Sequence, residues 1–398
     1  MLWNTVGNFS YLIVQWFLTY LTTRLAGYTA AGIFSLATSV CGTFYSIAQY
    51  TMRSYQVSDI KSRYSDADYL VSRVLTSAFA TSACLLLVSA RGYSLEVSLC
   101  IMVYMLFKVT EAFSDVCQGF LQKAMRMDYI GKAYLIKSGI ELLVFSAALK
   151  LSGNLTIAII ALAVSSASVL LTYERSVTAI FFVRGSAILR QVLSLLRDCF
   201  PLAVFGLMLT AIGQLPRFYL EAQLGTEMLG YYATVAIPIT VIQVAANYIF
   251  VPLTTPMALY YEQGKFDAFV RLFVKVSLIV AAIALLALAA YALFGEQFLL
   301  LLFGKSILPY VGLGSPLVIC GILTAYVWFI SNTLTVLRRL KTLVLLCVPC
   351  LLSEVLLHAG LIERFGPNGA SYLLIIALIL FLLGGCAVLY SSFRRNNN

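Results

Sequence analysis

Apolar runs of about 20 residues recur from one end of this chain to the other, and the charges between them fall almost entirely on alternate connections. A helix needs roughly 20 apolar residues to cross the ~30 Å hydrocarbon core of a bilayer. Twelve such runs are present, at about 3–22, 30–51, 74–90, 97–115, 134–151, 155–173, 200–221, 229–251, 275–294, 311–336, 342–361 and 369–390. With the N-terminus placed in the cytoplasm, every second connection faces inward. Those connections hold Arg53, Lys61, Arg63 and Arg73; Lys123, Arg126, Lys132 and Lys137; Arg175, Arg184, Arg190 and Arg197; Lys265, Arg271 and Lys275; Arg338, Arg339 and Lys341; Arg394 and Arg395. That is 20 of the 27 Lys+Arg, against five (Arg24, Arg91, Lys150, Lys305 and Arg364) at the other ends and two, Lys108 and Arg217, inside spans. Lys/Arg bias in short loops sets orientation, and one miscounted helix would scramble the alternation. The expected fold is an all-α polytopic membrane protein of about 12 transmembrane helices, both termini cytoplasmic.

The net charge of +10 would suggest nucleic acid in a soluble protein. Here it is the inner-face bias, which also meets anionic lipid headgroups, so the bilayer is the expected partner and nucleic acid is not. No basic region precedes the first run and no small-residue cleavage site follows it, so the first run is expected to stay as a span. Nine cysteines, scattered mostly inside spans, read as small apolar residues and not as a disulfide framework. Cys347 and Cys350 form a CxxC, but Pro349 and an apolar helix surround it. Asp66-Ala67-Asp68 has the DxD pattern of sugar-nucleotide enzymes and is read as a solvated loop beside Lys61 and Arg63. No metal or cofactor is expected.

The chain divides at its middle. Residues 174–198 mix apolar positions with Arg184, Arg190 and Arg197 at helical spacing, which suits a segment lying along the inner surface. The expected organisation is a six-helix lobe at 1–173, this linker at 174–198 and a second six-helix lobe at 199–398. A weak repeat supports it: AGYTAAGIFSL (26–36) and LGTEMLGYYAT (224–234) align at an offset of 198, matching Gly27 with Gly225, Gly32 with Gly230 and Phe34 with Tyr232. Six spans per repeat is an even number, so the halves point the same way and relate by a pseudo-two-fold along the membrane normal.

Polar residues inside spans mark the candidate site. Span one carries Asn4, Asn8, Tyr11, Gln15 and Thr19 on one face; span seven carries Thr210, Gln214, Arg217 and Glu221 on one face; span eight adds Thr240, Gln243 and Asn247. Hydrogen bonding between helices accounts for the amides, but not for Arg217. A charge at mid-membrane costs roughly 3 kcal/mol or more, so it faces a wet cavity or a partner. Arg217 either lines a cavity, pairs with Glu221 or snorkels outward. Lys108 either pairs with Glu111 or contacts an anion. Glu141 is either paired across helices or a proton or cation site. Glu354 and His358, at i and i+4, are either a satisfied hydrogen bond or a proton-coupling pair.

The stretch PRFYLEAQLGTEMLGYYATVAIP (216–238), with Arg217, Leu224-Gly225 and Leu229-Gly230-Tyr231-Tyr232, resembles the seventh-to-eighth helix region of Wzx-type polysaccharide repeat-unit flippases. These form a branch of the multidrug/oligosaccharidyl-lipid/polysaccharide (MOP) exporter superfamily, which also contains the MATE transporters. AGIFSLATSV (31–40), MRSYQVSDI (52–60), YYEQGKFDAFVRLF (260–273), LLFGKSILPY (301–310) and RFGPNGAS (364–371) are similar to that family as well, so the likeness runs over most of the chain. The resemblance implies a MATE-like fold of two six-helix lobes around a central cavity that opens to either side in turn. It implies a cargo of undecaprenyl-pyrophosphate-linked oligosaccharide for O-antigen, capsule or exopolysaccharide. It also implies the polysaccharide polymerase and chain-length machinery as further partners, and cavity cations that hold the pyrophosphate. By position Arg217 carries over best, followed by Arg53 and Arg24, with Lys108 a further candidate; Asn8, Gln15, Gln214, Gln243 and Asn247 suit sugar hydroxyls. Two rivals remain. A multidrug or cation exporter of the same superfamily would use a membrane carboxylate such as Glu141. A membrane polymerase or glycosyltransferase would need a sizeable outer loop or domain, which the span pattern does not leave room for, so no enzyme is expected.

Overall fold

The computed structural model describes residues 2–59, 62–183, 185–337 and 339–396, and within them all side chains except those of 2, 240–255, 258, 261, 262, 266, 336, 340 and 392–396. Lys61, Arg184 and Arg338, and the side chains of Gln243, Asn247, Thr240, Arg394 and Arg395, therefore lie outside the described residues. Among the described residues no strand occurs.

Two helices are long enough for two passes each: α1 (Leu2–Gln49, 48 residues) and, further along the chain, Leu189–Glu262 (74 residues). Each breaks at a single glycine, Gly27 at φ 85, ψ 178 and Gly225 at φ 84, ψ 170. That backbone region is essentially closed to residues with a Cβ. A Cβ at either position would meet nothing within 4 Å, so conformation and not crowding demands glycine. The two glycines matched at an offset of 198 thus adopt the same bend at the same point of the two halves.

After α1 come α2 (Met52–Ser58), α3 (Asp66–Arg91), α4 (Leu95–Lys123), α5 (Met127–Ser152) and α6 (Leu155–Val169), which runs through a π turn (Leu170–Glu174) into α7 (Arg175–Ala179). Leu189–Glu262 is α8, followed by α9 (Phe266–Phe303), a 3-10 turn (Lys305–Leu313), α10 (Gly314–Val336), α11 (Leu340–Phe365) and α12 (Asn368–Asn396). Nine helical stretches among the described residues are long and apolar enough to cross a membrane. Two of these are the double passes of α1 and α8, and α5, whose Lys137, Glu141 and Lys150 fall within one crossing length, is as long as α3 at 26 residues. The chain is a multi-pass membrane protein with the expected twelve passes.

Caps fix the helix ends. Ser65 and Asp68 form a reciprocal capping box on α3, and the Ser94 hydroxyl and Asn154 amide oxygen accept from Val97 and Ile157 at the starts of α4 and α6. Asp68 and Asp66 also accept the backbone N–H groups of Ile188 (3.0 Å) and Val183 (2.8 Å), while Phe181 and Phe182 pack on Tyr129 and Phe120. The DxD pattern is therefore not the solvated loop expected from the sequence; Asp68 is fully buried and holds the midpoint connection against the first half. That connection is also not a single lying segment: α6–α7 reaches Ala179 and α8 begins at Leu189.

The chain packs as two compact units, residues 1–210 and 211–398. The start of α8 belongs to the first because Leu195 and Cys199 sit in one apolar cluster with Met52, Tyr64, Tyr69, Val116 and Phe120. Within the first unit α1 lies directly on α5 through Gly7 and Gly131: a Cβ on Gly7 would come to 2.2 Å from the Gly131 carbonyl oxygen. Such backbone contact through small residues is how helices associate when lipid removes the hydrophobic drive.

Gly27→Ala and Gly225→Ala should each destabilise the protein by about 1–3 kcal/mol, the cost of a strained residue. Thermal unfolding in detergent should show two losses of similar size, and an unchanged midpoint for one alone would break the equivalence of the two bends.

Candidate functional site

The first unit holds a network of buried charges that the sequence only partly reveals. Lys137 of α5 is fully buried, with its ammonium 2.7 Å from Glu111 of α4 and 3.5 Å from Glu174 of the π turn, and it also donates to Ser114. Glu111 accepts further from Tyr11 of α1 (2.7 Å) and Ser166 of α6 (3.2 Å). One carboxylate thus ties four helices together. Toward the Arg53 end, Asp115 takes Arg73 at 3.0 Å and Arg53 at 3.6 Å. Arg73 also donates to the Ala48 carbonyl, and Arg53 to Gln118 (2.8 Å) and Gln122 (3.0 Å). A cavity of about 400 Å³ opens beside Arg53, with Gln49, Thr51, Ser54, Asp115 and Gln122 in its wall.

Several expectations change here. Arg73 and Lys137 are not inner-loop charges: α3 and α5 begin at Asp66 and Met127, so both cations lie turns inside their helices and are buried. Lys108 is not paired with Glu111, because Lys137 occupies that carboxylate. Its ammonium instead lies 4.9 Å from the Phe107 ring centre, 5.2 Å from Tyr45 and 5.4 Å from Tyr104. Among the described residues it makes no ion pair. Cation–π contact holds such a group without neutralising it. Glu141 is paired across helices, accepting from Gln15 of α1 at 3.1 Å. Asn8 bonds back to Asn4 on its own helix, and Arg24 is exposed beside the bend, apart from this network.

In the second unit Arg217 of α8 is half-buried, and among the described residues no hydrogen bond or ion pair engages it. Tyr232 and Cys320 are the polar groups within its electrostatic range. Gln214, one turn before, has a buried amide oxygen without a partner. Glu354 and His358 of α11 do not form the expected i, i+4 hydrogen bond. The imidazole stacks on Tyr219 (ring centres 4.0 Å apart, planes at 20°), and its Nδ1 lies 2.8 Å from the Val355 carbonyl oxygen. Helical spacing brings the two within reach, but a flat aromatic partner on α8 competes for the ring.

The sequence reading did not find Arg73, Lys137 and Glu174. A usable trace was the i, i+4 spacing of Lys137 and Glu141 on a helix extended back to Met127. Outside the spans, Arg126 grips Asp128 through two hydrogen bonds of 2.9 Å, which holds that carboxyl down at about 2.

No protein-family description and no curated protein matches this chain. Solved structures do. A multidrug resistance MATE family transporter of the MOP superfamily, in an inward-facing conformation, superposes with a TM-score of 0.72 at 15% identity, covering 98% of this chain and 95% of that one. The lipid II flippase MurJ in an inward closed conformation gives 0.76 at 12% identity, covering 98% and 88%. A MOP superfamily transporter from Pyrococcus furiosus Vc1, for which reverse polarity of the binding pocket is described, gives 0.67 at 14% identity, covering 99% and 94%. At these identities the likeness establishes the fold: the chain has the all-helical fold of these transporters.

Lys137→Met should leave Glu111 and Glu174 facing each other without a cation. Breaking a buried pair in this way costs about 3–5 kcal/mol. The unfolding midpoint should fall sharply, and Glu111→Gln added to Lys137→Met should recover part of the loss; a single variant as stable as the parent would remove the network as a determinant of the first unit.

Proposed function

We propose that this protein is a flippase that moves an oligosaccharide on an undecaprenyl-pyrophosphate carrier from the inner to the outer leaflet of a bacterial cytoplasmic membrane, by alternating access. The observation that carries the reading is a pair of unneutralised intramembrane cations, one in each unit: Lys108 of α4, held by aromatic rings, and Arg217 of α8, with no ion pair among the described residues. Among the described residues, Lys137 of the first unit has two carboxylates, whereas Arg73 and Arg53 share that of Asp115. Free positive charge is costly inside a membrane and suits an anionic cargo.

The chemistry of a pyrophosphate matches these groups. Arg presents a planar fork to two phosphate oxygens, and Lys supplies a point charge. Gln214, with its unengaged amide oxygen, is a candidate for sugar hydroxyls, with Asn8 and Gln15 weaker because both are engaged within the first unit. Arg53 lines the cavity and shares the single carboxylate of Asp115 with Arg73, so it stays a candidate phosphate contact, and Arg24 is a contact at most near the bend. An interior-negative potential favours outward movement of a doubly negative head by roughly 4–5 kcal/mol per 100 mV, so potential alone is an adequate drive. The likeness to a lipid II flippase supports a lipid-linked cargo, and the transporter neighbours support a non-enzymatic role. The O-antigen, capsule or exopolysaccharide pathway, and contact with its polymerase and chain-length machinery, follow from the resemblance of 216–238.

A multidrug or cation exporter is the second reading, favoured by the MATE likeness. It calls for an available membrane carboxylate; Glu111 and Asp115 of the first unit are ion-paired and Glu141 accepts the Gln15 amide, which leaves Glu354 of the second unit as the group such an exporter would use.

In a strain lacking the gene but retaining the upstream glycosyltransferases, single lipid-linked repeat units should accumulate and surface polysaccharide should disappear. Arg217→Ala and Lys108→Ala should fail to restore export while reaching the membrane at normal levels, and Arg217→Lys should restore part of it. Normal lipid-linked pools and normal surface glycan in the deletion strain would overturn the flippase reading and direct the next assay to drug sensitivity.

A further inference from the structure

The two units share a second alignment that the offset of 198 conceals. α5 and α11 are both 26 residues long and begin 213 positions apart, at Met127 and Leu340. Both have an arginine at the N-cap, Arg126 (φ −100, ψ 57) and Arg339 (φ −92, ψ 45). Both end on a glycine of positive φ, Gly153 at 64 and Gly366 at 58. In this register Glu141 falls on Glu354. Each carboxyl stands 12 residues before its glycine cap, about 18 Å along the helix at 1.5 Å per residue, which is bilayer mid-depth for a helix of this length. Both are fully buried.

Their surroundings differ. Glu141 receives the Gln15 amide and has Lys137 one turn away on its own helix. In the second unit the counterpart of Lys137 is Cys350, and the counterpart of Gln15 at the offset of 198 is Gly213. The cation and the amide are gone, yet the carboxyl is retained. Neither oxygen of Glu354 has a hydrogen-bond partner, and no Lys, Arg or His among the described residues lies within ion-pair distance of it. Several ionisable groups on the elements packed around it are engaged elsewhere, while Cys350 lies within electrostatic range of it. On α10, Cys320 donates to the Ser371 carbonyl and Tyr326 bonds Ser277; on α12, Tyr372 packs on Phe365. On α11 itself, Cys350 donates to the Leu346 carbonyl and His358 turns away to Tyr219 of α8. Arg217 of α8 makes no ion pair with it.

We propose that Glu354 is a proton-binding site of the second unit, a carboxyl carried as the neutral acid and related by the internal repeat to the amide-bound Glu141 of the first. An ionised carboxylate with no partner in this interior would cost several kcal/mol, whereas the neutral acid loses only a hydrogen bond. A position that only had to pack would be apolar, and an intramembrane acid without a structural partner is kept for the proton it exchanges when water reaches it. The site is a property of α11 and its neighbours and does not depend on which cargo the protein moves.

The test uses the full-length protein in lipid nanodiscs and dicyclohexylcarbodiimide, an apolar reagent for protonated carboxyls. The acid O–H adds across one C=N bond, the proton going to nitrogen and the carboxyl oxygen to carbon; rearrangement gives a stable N-acylurea with no leaving group. Peptide mass spectrometry near neutral pH should find the adduct on Glu354, and it should vanish in Glu354→Gln. Difference infrared spectra of the parent against Glu354→Gln, which need no reagent access, should show the carbonyl stretch of a neutral carboxylic acid. Glu354→Gln copies that acid and should keep the parental unfolding midpoint. A carboxylate band in place of the acid band would overturn the proposal. Neither readout involves export, so loss of the flippase reading would leave this one standing, and the reverse.

Discussion

A charge taken into hydrocarbon must find an opposite charge, a polar shell, water or a proton, and the helices of this protein are arranged around how each intramembrane ionisable group meets that demand. Lys137 is satisfied by two carboxylates, and by doing so it joins α4, α5 and the π turn after α6. Tyr11 and Ser166 extend the same knot to α1 and α6. Asp115 does the equivalent for Arg73 and Arg53. A network of this kind is costly if any member is lost, so it fixes one packing of the first unit against its alternatives.

What is left over after this pairing is as informative as the pairing itself. Lys137 displaces Lys108 from Glu111, and Lys108 is held by three rings, which orient it without cancelling its charge. The second unit has no such network among its described residues. There Arg217 and Glu354 stand without ion pairs. The buried charges of the first unit are thus largely paired, whereas Arg217 and Glu354 of the second are not.

The repeat explains the architecture and also why it is hard to read. Gly27 and Gly225 bend their helices identically at an offset of 198, because a φ near 85 with an extended ψ excludes any other residue and leaves a visible mark in the sequence. Beyond the fourth pass of each half the register becomes 213, as α9 and the 3-10 turn Lys305–Leu313 lengthen the second half. Glu141 and Glu354 therefore read as unrelated in the sequence, though they occupy one position of one repeated helix.

The sequence by itself determined the all-α class and the twelve apolar runs, and it matched Gly27 with Gly225. The first two follow from local chemistry: apolar run length and loop charge. Its intramembrane candidates Lys108, Glu141, Arg217 and Glu354 are indeed inside helices, because a charged letter in an apolar run is conspicuous. The tertiary structure alone decided which of them are spent. Arg73 and Lys137 look like loop cations until α3 and α5 are seen to begin at Asp66 and Met127, and the DxD looks solvated until Val183 and Ile188 donate to it. Glu354 and His358 look like a pair until Tyr219 takes the imidazole. Each of these outcomes is a competition among partners from distant parts of the chain for one charge or one ring face, and sequence spacing carries no record of which competitor wins.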